Sequence, residues 1–176
     1  MIFDEDIKIA GDKPSQTVKK EEQFDVKLES GEDVSKAKKI GAEVAERFLA
    51  GTDEISDDEN FKNAELLLQR KLLLSFAATI GFETYISDDS LAGIAQKSFL
   101  DSIKKVSDEV YRSSSDTGAF SFYYLAFRRG DDVERRIGQT FAMLCSHDGD
   151  PIFQELGEAL YCWFLSVVKD VVSANS

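Results

Sequence analysis

Residues Leu72–Phe82 read LLLSFAATIGF, and this stretch determines the fold that the sequence predicts. Only Ser75 and Thr79 place polar side chains among its apolar ones. Consecutive residues of a helix point in every direction around its axis, so a helix over this stretch is apolar on nearly all sides. Such a helix normally lies at the centre of a protein. We therefore predict a central helix from about Glu59 to Ile86, with Gln69–Lys71 as its polar break.

The chain on both sides of this stretch shows the apolar spacing of further helices. Apolar residues recur at steps of three and four, which places them on one face of each helix. The aromatic run Ala119–Phe127 would also suit a strand, but its neighbours are helical and Asp116 offers a cap, so we favour a helix. The other helices are expected over Asp33–Gly51, Leu91–Val110, Val133–Leu144 and from Pro151 to about Val172.

These spacings predict an all-α fold, a single-domain bundle of about six helices with one or two nearly fully buried central helices. We expect this domain to comprise residues 33–176. Residues 1–32 are charged, lack a helical stripe and are expected to form an N-terminal arm that is flexible or pairs with a partner. Within the arm, Asp6–Ala10 and Phe24–Leu28 alternate apolar and polar residues, as short β segments do.

The charge of the chain narrows its range of partners. It has 33 acidic and 21 basic residues, a net charge of −12, and would on average repel a nucleic-acid backbone. We therefore expect no nucleic-acid partner, which also disfavours transcriptional regulation through DNA.

The N-terminus lacks the basic and apolar regions of a signal peptide, and the longest strongly apolar run, Ala159–Val168, is about half of a membrane span. The expected location is the cytoplasm, with no membrane partner.

Four arginines lie within nine residues of this acidic chain: Arg128, Arg129, Arg135 and Arg136. One possibility is that they bind a phosphate, an acidic ligand or the acidic arm of another copy. The other is that they form a solvated face and pair with the neighbouring acids Asp131, Asp132 and Glu134. In the turn that they flank, Gly130 is expected to end one helix and an aspartate to cap the next.

The chain offers few groups for catalysis or metal binding. His147 is the only histidine, and Cys145 and Cys162 are the only cysteines, so a structural zinc site would need a carboxylate as its fourth ligand. Both cysteines have apolar neighbours, which raise the pKa of a thiol and disfavour a nucleophilic role. The glycine motifs of nucleotide-binding loops are not present. We therefore predict no catalytic residue, no metal and no cofactor.

Glycines fall at five places inside the predicted helices: Gly41, Gly81, Gly93, Gly138 and Gly157. Each costs about 1 kcal/mol relative to alanine in a helix interior, so an offsetting interaction is expected. Either two helices approach closely where the side chain is missing, or the space holds a bound group. We favour close packing.

These features predict a cytoplasmic helical protein that is non-catalytic and acts through protein–protein contacts, with a homo-oligomer as the favoured assembly. The alternative is a helical protein or enzyme that binds a small apolar molecule. In that case aromatic residues would line the pocket and arginines would lie beside it: Phe122, Tyr123, Tyr124, Tyr161, Trp163, Arg128 and Arg129.

Overall fold

The computed structural model describes residues 30–53, 63–115 and 117–176. These residues form α-helices and the turns between them, and they contain no β-strand. The helices in chain order are α1 (Gly31–Asp53), α2 (Ala64–Tyr85), α3 (Asp89–Val106), α4 (Asp108–Ser114), α5 (Thr117–Arg128), α6 (Val133–Leu144) and α7 (Pro151–Ala174). The prediction of an all-α bundle is confirmed for this part of the chain.

Two helix boundaries differ from the prediction because polar side chains cap the helices. α2 begins at Ala64 instead of Glu59, since the side-chain oxygen of Asn63 accepts a hydrogen bond from the backbone N–H of Glu65 at 2.9 Å. The predicted third helix is interrupted at Ser107, which caps the short α4. This break leaves Val106 68% exposed, although its spacing predicted a position in the core.

The two ends of α1 also differ from the prediction. Ser30, and not Asp33, caps the helix, since the Ser30 hydroxyl accepts from the backbone N–H of Asp33 and donates to its carboxylate. Gly51, the predicted end, lies inside α1. Gly31 and Glu32, which we assigned to the arm, belong to α1. The remainder of the arm, its two predicted β segments and the cap at Asp116 lie outside the described residues.

α2 lies at the centre of the described part of the chain and contacts each of the other six helices. Every residue from Leu72 to Phe82 is buried, as the apolar pattern predicted. The Ser75 hydroxyl donates to the carbonyl oxygen of Ser114 at 2.8 Å, and the Thr79 hydroxyl donates to that of Ser75 at 3.1 Å. Since an unpaired buried polar group costs stability, these bonds allow α2 to be buried on all sides.

Phenylalanine rings join α2 to three of its neighbours. Phe48 of α1 packs edge-to-face on Phe99 of α3, with ring centroids 5.5 Å apart, and on Phe164 of α7 at 6.1 Å. Phe82 of α2 contacts the same Phe99 ring at 5.9 Å. Aromatic pairs of this geometry contribute about 0.5–1.5 kcal/mol beyond the burial of their area. The cluster therefore fixes the relative positions of four helices.

α1 and α3 approach closely at Gly41. A methyl group on Gly41 would collide with the carbonyl oxygen of Ala95 and lie 2.8 Å from Cβ of Ser98. Added methyl groups would also meet a neighbouring helix at Gly81, Gly138 and Gly157. Gly93 has open space around it. Close packing therefore explains four of the five helical glycines, and the same explanation is wrong for Gly93.

The turn between α5 and α6 is built from backbone contacts. Gly130 has a φ of +77°, the left-handed conformation that we predicted for it. Asp132 precedes α6 with a φ of 46°, whereas side-chain caps normally need an extended backbone, and its carboxylate makes no capping hydrogen bond. The turn is closed instead by Arg136, whose Nε donates to the backbone carbonyl of Asp131 at 2.7 Å.

We expect Gly41→Ala to lower the free energy of unfolding by about 1–3 kcal/mol, because the new methyl group pushes the α3 backbone away. The matched control is Gly93→Ala, which adds the same methyl group in open space on α3 and should stabilise the protein by up to about 1 kcal/mol. Urea denaturation followed by circular dichroism measures both effects. Equal changes in the two variants would contradict the close contact between α1 and α3.

Candidate functional site

Three of the aromatic residues predicted to bind a ligand surround one ring of the core. Tyr123, Tyr124 and Tyr161 lie around Phe76 of α2, with ring centroids 5.3, 5.1 and 6.4 Å from it. Tyr123 and Tyr161 are 0% and 1% exposed and stack on Phe76, while the half-buried Tyr124 meets it edge-on. These contacts form a packed core that holds α5 and α7 on α2.

The other two aromatic residues lie elsewhere. Trp163 follows Tyr161 by two positions on α7 and therefore points about 200° away around the helix. Its ring lies against α1, where a methyl group on Gly51 would be 2.8 Å from Cη2. Phe122 lies on the outer side of α5 and is 48% exposed. The five aromatic residues thus do not surround one cavity, and ligand binding by them stays a prediction.

The arginines form a basic corner where α5 meets α6. Arg128, Arg129 and Arg135 are exposed, and Arg136 is half-buried. Within the described residues, no salt bridge includes any of these four side chains, so the expected pairing with the neighbouring acids is not found there. The guanidinium groups of the corner are therefore not held in ion pairs by the described residues.

A groove runs along the outer surface between α5 and α6, and we term it the α5–α6 groove. One wall has the three- and four-residue spacing of a single helix face: Phe122, Leu125, Ala126 and, just after the helix, Arg129. The other wall, on α6, has the same spacing: Arg136, Gln139, Thr140 and Met143. Asp148, in the turn after α6, completes the lining.

The α5–α6 groove has apolar side chains together with Asp148 at one end and arginines at the other. Since α5 and α6 are sequential neighbours joined by a short turn, the hairpin puts Phe122 beside Met143 and Arg129 beside Arg136. Leu125 is 63% exposed and Met143 is 42% exposed. Single exposed apolar residues are common on protein surfaces, but a contiguous group next to polar residues is typical of an interaction site.

The α5–α6 groove is slightly smaller and more open than most small-molecule sites. Its volume is about 270 Å³, and it is open to solvent along its length. Small-molecule sites are typically enclosed and have volumes of about 300–1,000 Å³. A groove of this size accommodates one or two side chains from an extended segment.

Sequence reasoning did not identify the exposed apolar residues Leu125 and Met143 of this groove. A signal for Leu125 was present, because apolar side chains point in every direction around α5: Phe120, Phe122, Tyr123, Tyr124, Leu125 and Phe127. Unlike α2, α5 is only 12 residues long and packs mainly on α6, so one of its faces stays in solvent. Met143 gave no comparable signal, since its exposure depends on how α6 turns toward α7.

The thiols and the histidine do not form a reactive cluster. Burial raises the pKa of the Cys145 thiol to about 12, and the charge of Glu65 adds to this effect. The pKa of the exposed Cys162 is also raised, first by partial desolvation and then by Glu134 and Glu158. The His147 imidazole stacks on Phe153, with ring centroids 3.7 Å apart.

Tyr123 provides a test of the aromatic core. Among the described residues its hydroxyl has no hydrogen-bond partner, although the ring is fully buried. Tyr123→Phe removes this desolvated group and should leave stability unchanged or raise it by up to about 1 kcal/mol. Tyr123→Ala should cost about 3–5 kcal/mol, because α5 loses its contact with Phe76. In urea denaturation, a clear loss of stability in Tyr123→Phe would show that the hydroxyl has a partner.

Thiol labelling tests the environments of the two cysteines. In the native protein at pH 8, a disulfide reagent should label Cys162 alone, because Cys145 is buried and only about one thiol in ten thousand is ionised at a pKa of about 12. Cys162→Ser should abolish the native reaction, and unfolding in guanidinium should expose Cys145. Rapid native labelling of Cys145 would contradict its burial.

Other kinds of site find no support in the described ranges. No group of three or more histidine, cysteine, aspartate or glutamate side chains there is arranged to hold a metal ion. Within the same ranges, no helix combines the length and the apolar character needed to cross a membrane. No family model, curated protein or solved structure matches this chain. Among the grooves of the described residues, the α5–α6 groove combines three exposed large apolar side chains with two arginines.

Proposed function

We propose that this protein is non-catalytic and binds other protein chains through the α5–α6 groove. The observation that carries the proposal is the exposure of Phe122, Leu125 and Met143 together, beside Arg129 and Arg136. Self-association as a homo-oligomer and a cytoplasmic location, both expected from the sequence, are part of this proposal.

The residue types in the groove support protein binding. Aromatic residues, methionine and arginine are enriched at the centres of protein interfaces, whereas lysine, glutamate, aspartate and alanine are depleted. The groove contains the first three types, and its lining also includes Asp148 and Ala126 from the depleted types. Full burial of an exposed apolar side chain contributes about 1.5–3 kcal/mol. Phe122, Leu125 and Met143 are 48%, 63% and 42% exposed, so each can contribute about half of that to a weak complex.

The charge of the groove indicates the chemistry of the partner. Arginine binds carboxylates through paired N–H donors, and the basic corner has donors available. The apolar end would take an aliphatic or aromatic side chain. A fitting partner segment therefore has an apolar residue and, a few residues along the chain, one or more acids.

The small-molecule alternative has less support. Tyr123 and Tyr161, which were expected to line a pocket, are used in the core around Phe76. The groove itself is open and small.

Photo-crosslinking in cells tests the proposed function. Benzoylphenylalanine replaces Leu125 in the full-length chain, and irradiation should give adducts heavier than a single chain, with either a second copy or another protein. The control carries the same group at Val106, which is 68% exposed against 63% for Leu125 and lies at the end of α3, away from the groove.

We expect position 125 to yield several-fold more intermolecular adducts than position 106. Arg128→Glu combined with Arg129→Glu, both at exposed positions, should reduce the yield at position 125 and leave the helical circular dichroism signal unchanged. Equal yields at the two positions would contradict the proposal that this face binds protein.

A further inference from the structure

Taking the protein-binding role of the α5–α6 groove as given, we propose that its resident occupant is residues 2–7 of the same chain, IFDEDI. This segment would cover the groove and compete with outside partners for it. Protein binding through the groove would then be regulated by the N-terminal arm.

The composition of the segment matches the two ends of the groove. Ile2 and Phe3 are apolar and suit the end formed by Phe122, Leu125 and Met143. The three acids Asp4, Glu5 and Asp6 follow directly and suit the basic end. In an extended segment Phe3 and Glu5 point away from the side that carries Ile2, Asp4 and Asp6, so the match depends on these last three residues.

The basic corner, like the groove that Lys38, Lys97 and Lys105 line, can attract an acidic segment. Residues 2–7 contribute −3 to the net charge of −12, so the rest of the chain carries −9 and on average repels such a segment. Arg129 and Arg136 line the groove, and Arg128 and Arg135 are exposed beside it. None of these arginines is held in a salt bridge within the part of the chain that the structure describes.

The spacing along the groove fits an extended segment. Phe122 and Arg129 are seven residues apart, which at the helical rise corresponds to about 10 Å. In an extended chain Ile2, Asp4 and Asp6 point to the same side, and the two carboxylates are about 7 and 13 Å from Ile2 along the segment. The distance of about 10 Å between the two ends of the groove lies between these two values. The long arginine side chains can span the remaining few ångströms to either carboxylate.

The arm is long enough to reach the groove within one molecule. Between Asp6 and Ser30, where the described residues begin, the chain spans up to about 80 Å when extended. A domain of this size is about 40 Å across. Docking within one chain is favoured over docking between copies, since a tether of this length gives a high effective concentration.

Photo-crosslinking of the purified full-length protein tests this inference. Benzoylphenylalanine is placed at position 125, with position 106 again as the control, and the linked peptides are identified by mass spectrometry after digestion with trypsin. Trypsin releases Met1–Lys8 as one peptide, because Lys8 is the first basic residue of the chain. We expect position 125 to link to this peptide and position 106 not to do so.

An equal mixture of nitrogen-14 and nitrogen-15 protein separates docking within a chain from docking between chains. The inference predicts links within light chains and within heavy chains only. Mixed light–heavy pairs in about half of the products would overturn docking within one chain and assign the segment to exchange between copies. Links from position 125 to other parts of the arm, or to no part of it, would overturn the choice of residues 2–7.

Charge exchange tests the contact with the basic corner. Asp4→Lys combined with Asp6→Lys should reduce the link from position 125 about tenfold at low salt, because two exposed ion pairs become repulsive. Adding Arg128→Asp and Arg129→Asp to the same chain should restore the link, since both arginines are exposed and neither closes the turn between α5 and α6. An unchanged yield in the first variant, or no rescue in the second, would overturn the assignment of the acids to these arginines.

The two crosslinking experiments can contradict the proposed function and the docking of residues 2–7 separately. Heavier adducts from position 125 in cells, without any link to residues 2–7 in the purified protein, would overturn this inference and leave the proposed function standing. A link to residues 2–7 without heavier adducts in cells would contradict the proposed function while the docking of the segment stands.

Discussion

The fold depends on one constraint, which is that α2 has to be covered on all sides. Its stretch Leu72–Phe82 is apolar around the whole helix, and the other six described helices all contact α2. Each Å² of apolar surface that is buried contributes about 25 cal/mol to folding, so the burial of α2 beneath the other helices is the main source of stability. The polar groups of the stretch do not oppose it, because Ser75 and Thr79 donate hydrogen bonds to backbone carbonyls.

The candidate site is a consequence of how α5 packs on α2. Tyr123 stacks on Phe76 and fixes one face of α5 against α2. Because α5 has aromatic or aliphatic residues on its other face as well, fixing Tyr123 inward leaves Phe122 and Leu125 outward, along the wall next to α6. The close approach of α6 and α7 at Gly138 positions the opposite wall. The groove is therefore a consequence of core packing, and its arginines come from the hairpin turn.

The sequence predicted the elements whose pattern is local. The apolar stretch of α2, the single-face helices α1 and α6, and the proline start of α7 were all readable from spacing and capping. It did not predict the break at Ser107, because a serine inside an apolar stripe becomes a cap only when the chain bends there. It also did not predict the groove, since Leu125 and Met143 are far apart in sequence and their exposure depends on how three helices pack. The expected pocket placed Tyr161 and Trp163 together, although two positions on a helix point in nearly opposite directions.

Native-state hydrogen exchange tests the central position of α2 most directly. If all the other helices cover α2, the backbone amides of residues 72–82 exchange only when the whole domain unfolds. Their opening free energy should then equal the unfolding free energy from urea denaturation and exceed that of the amides in α5. Exchange of these amides through a lower-energy opening, or protection weaker than that of α5, would contradict the account.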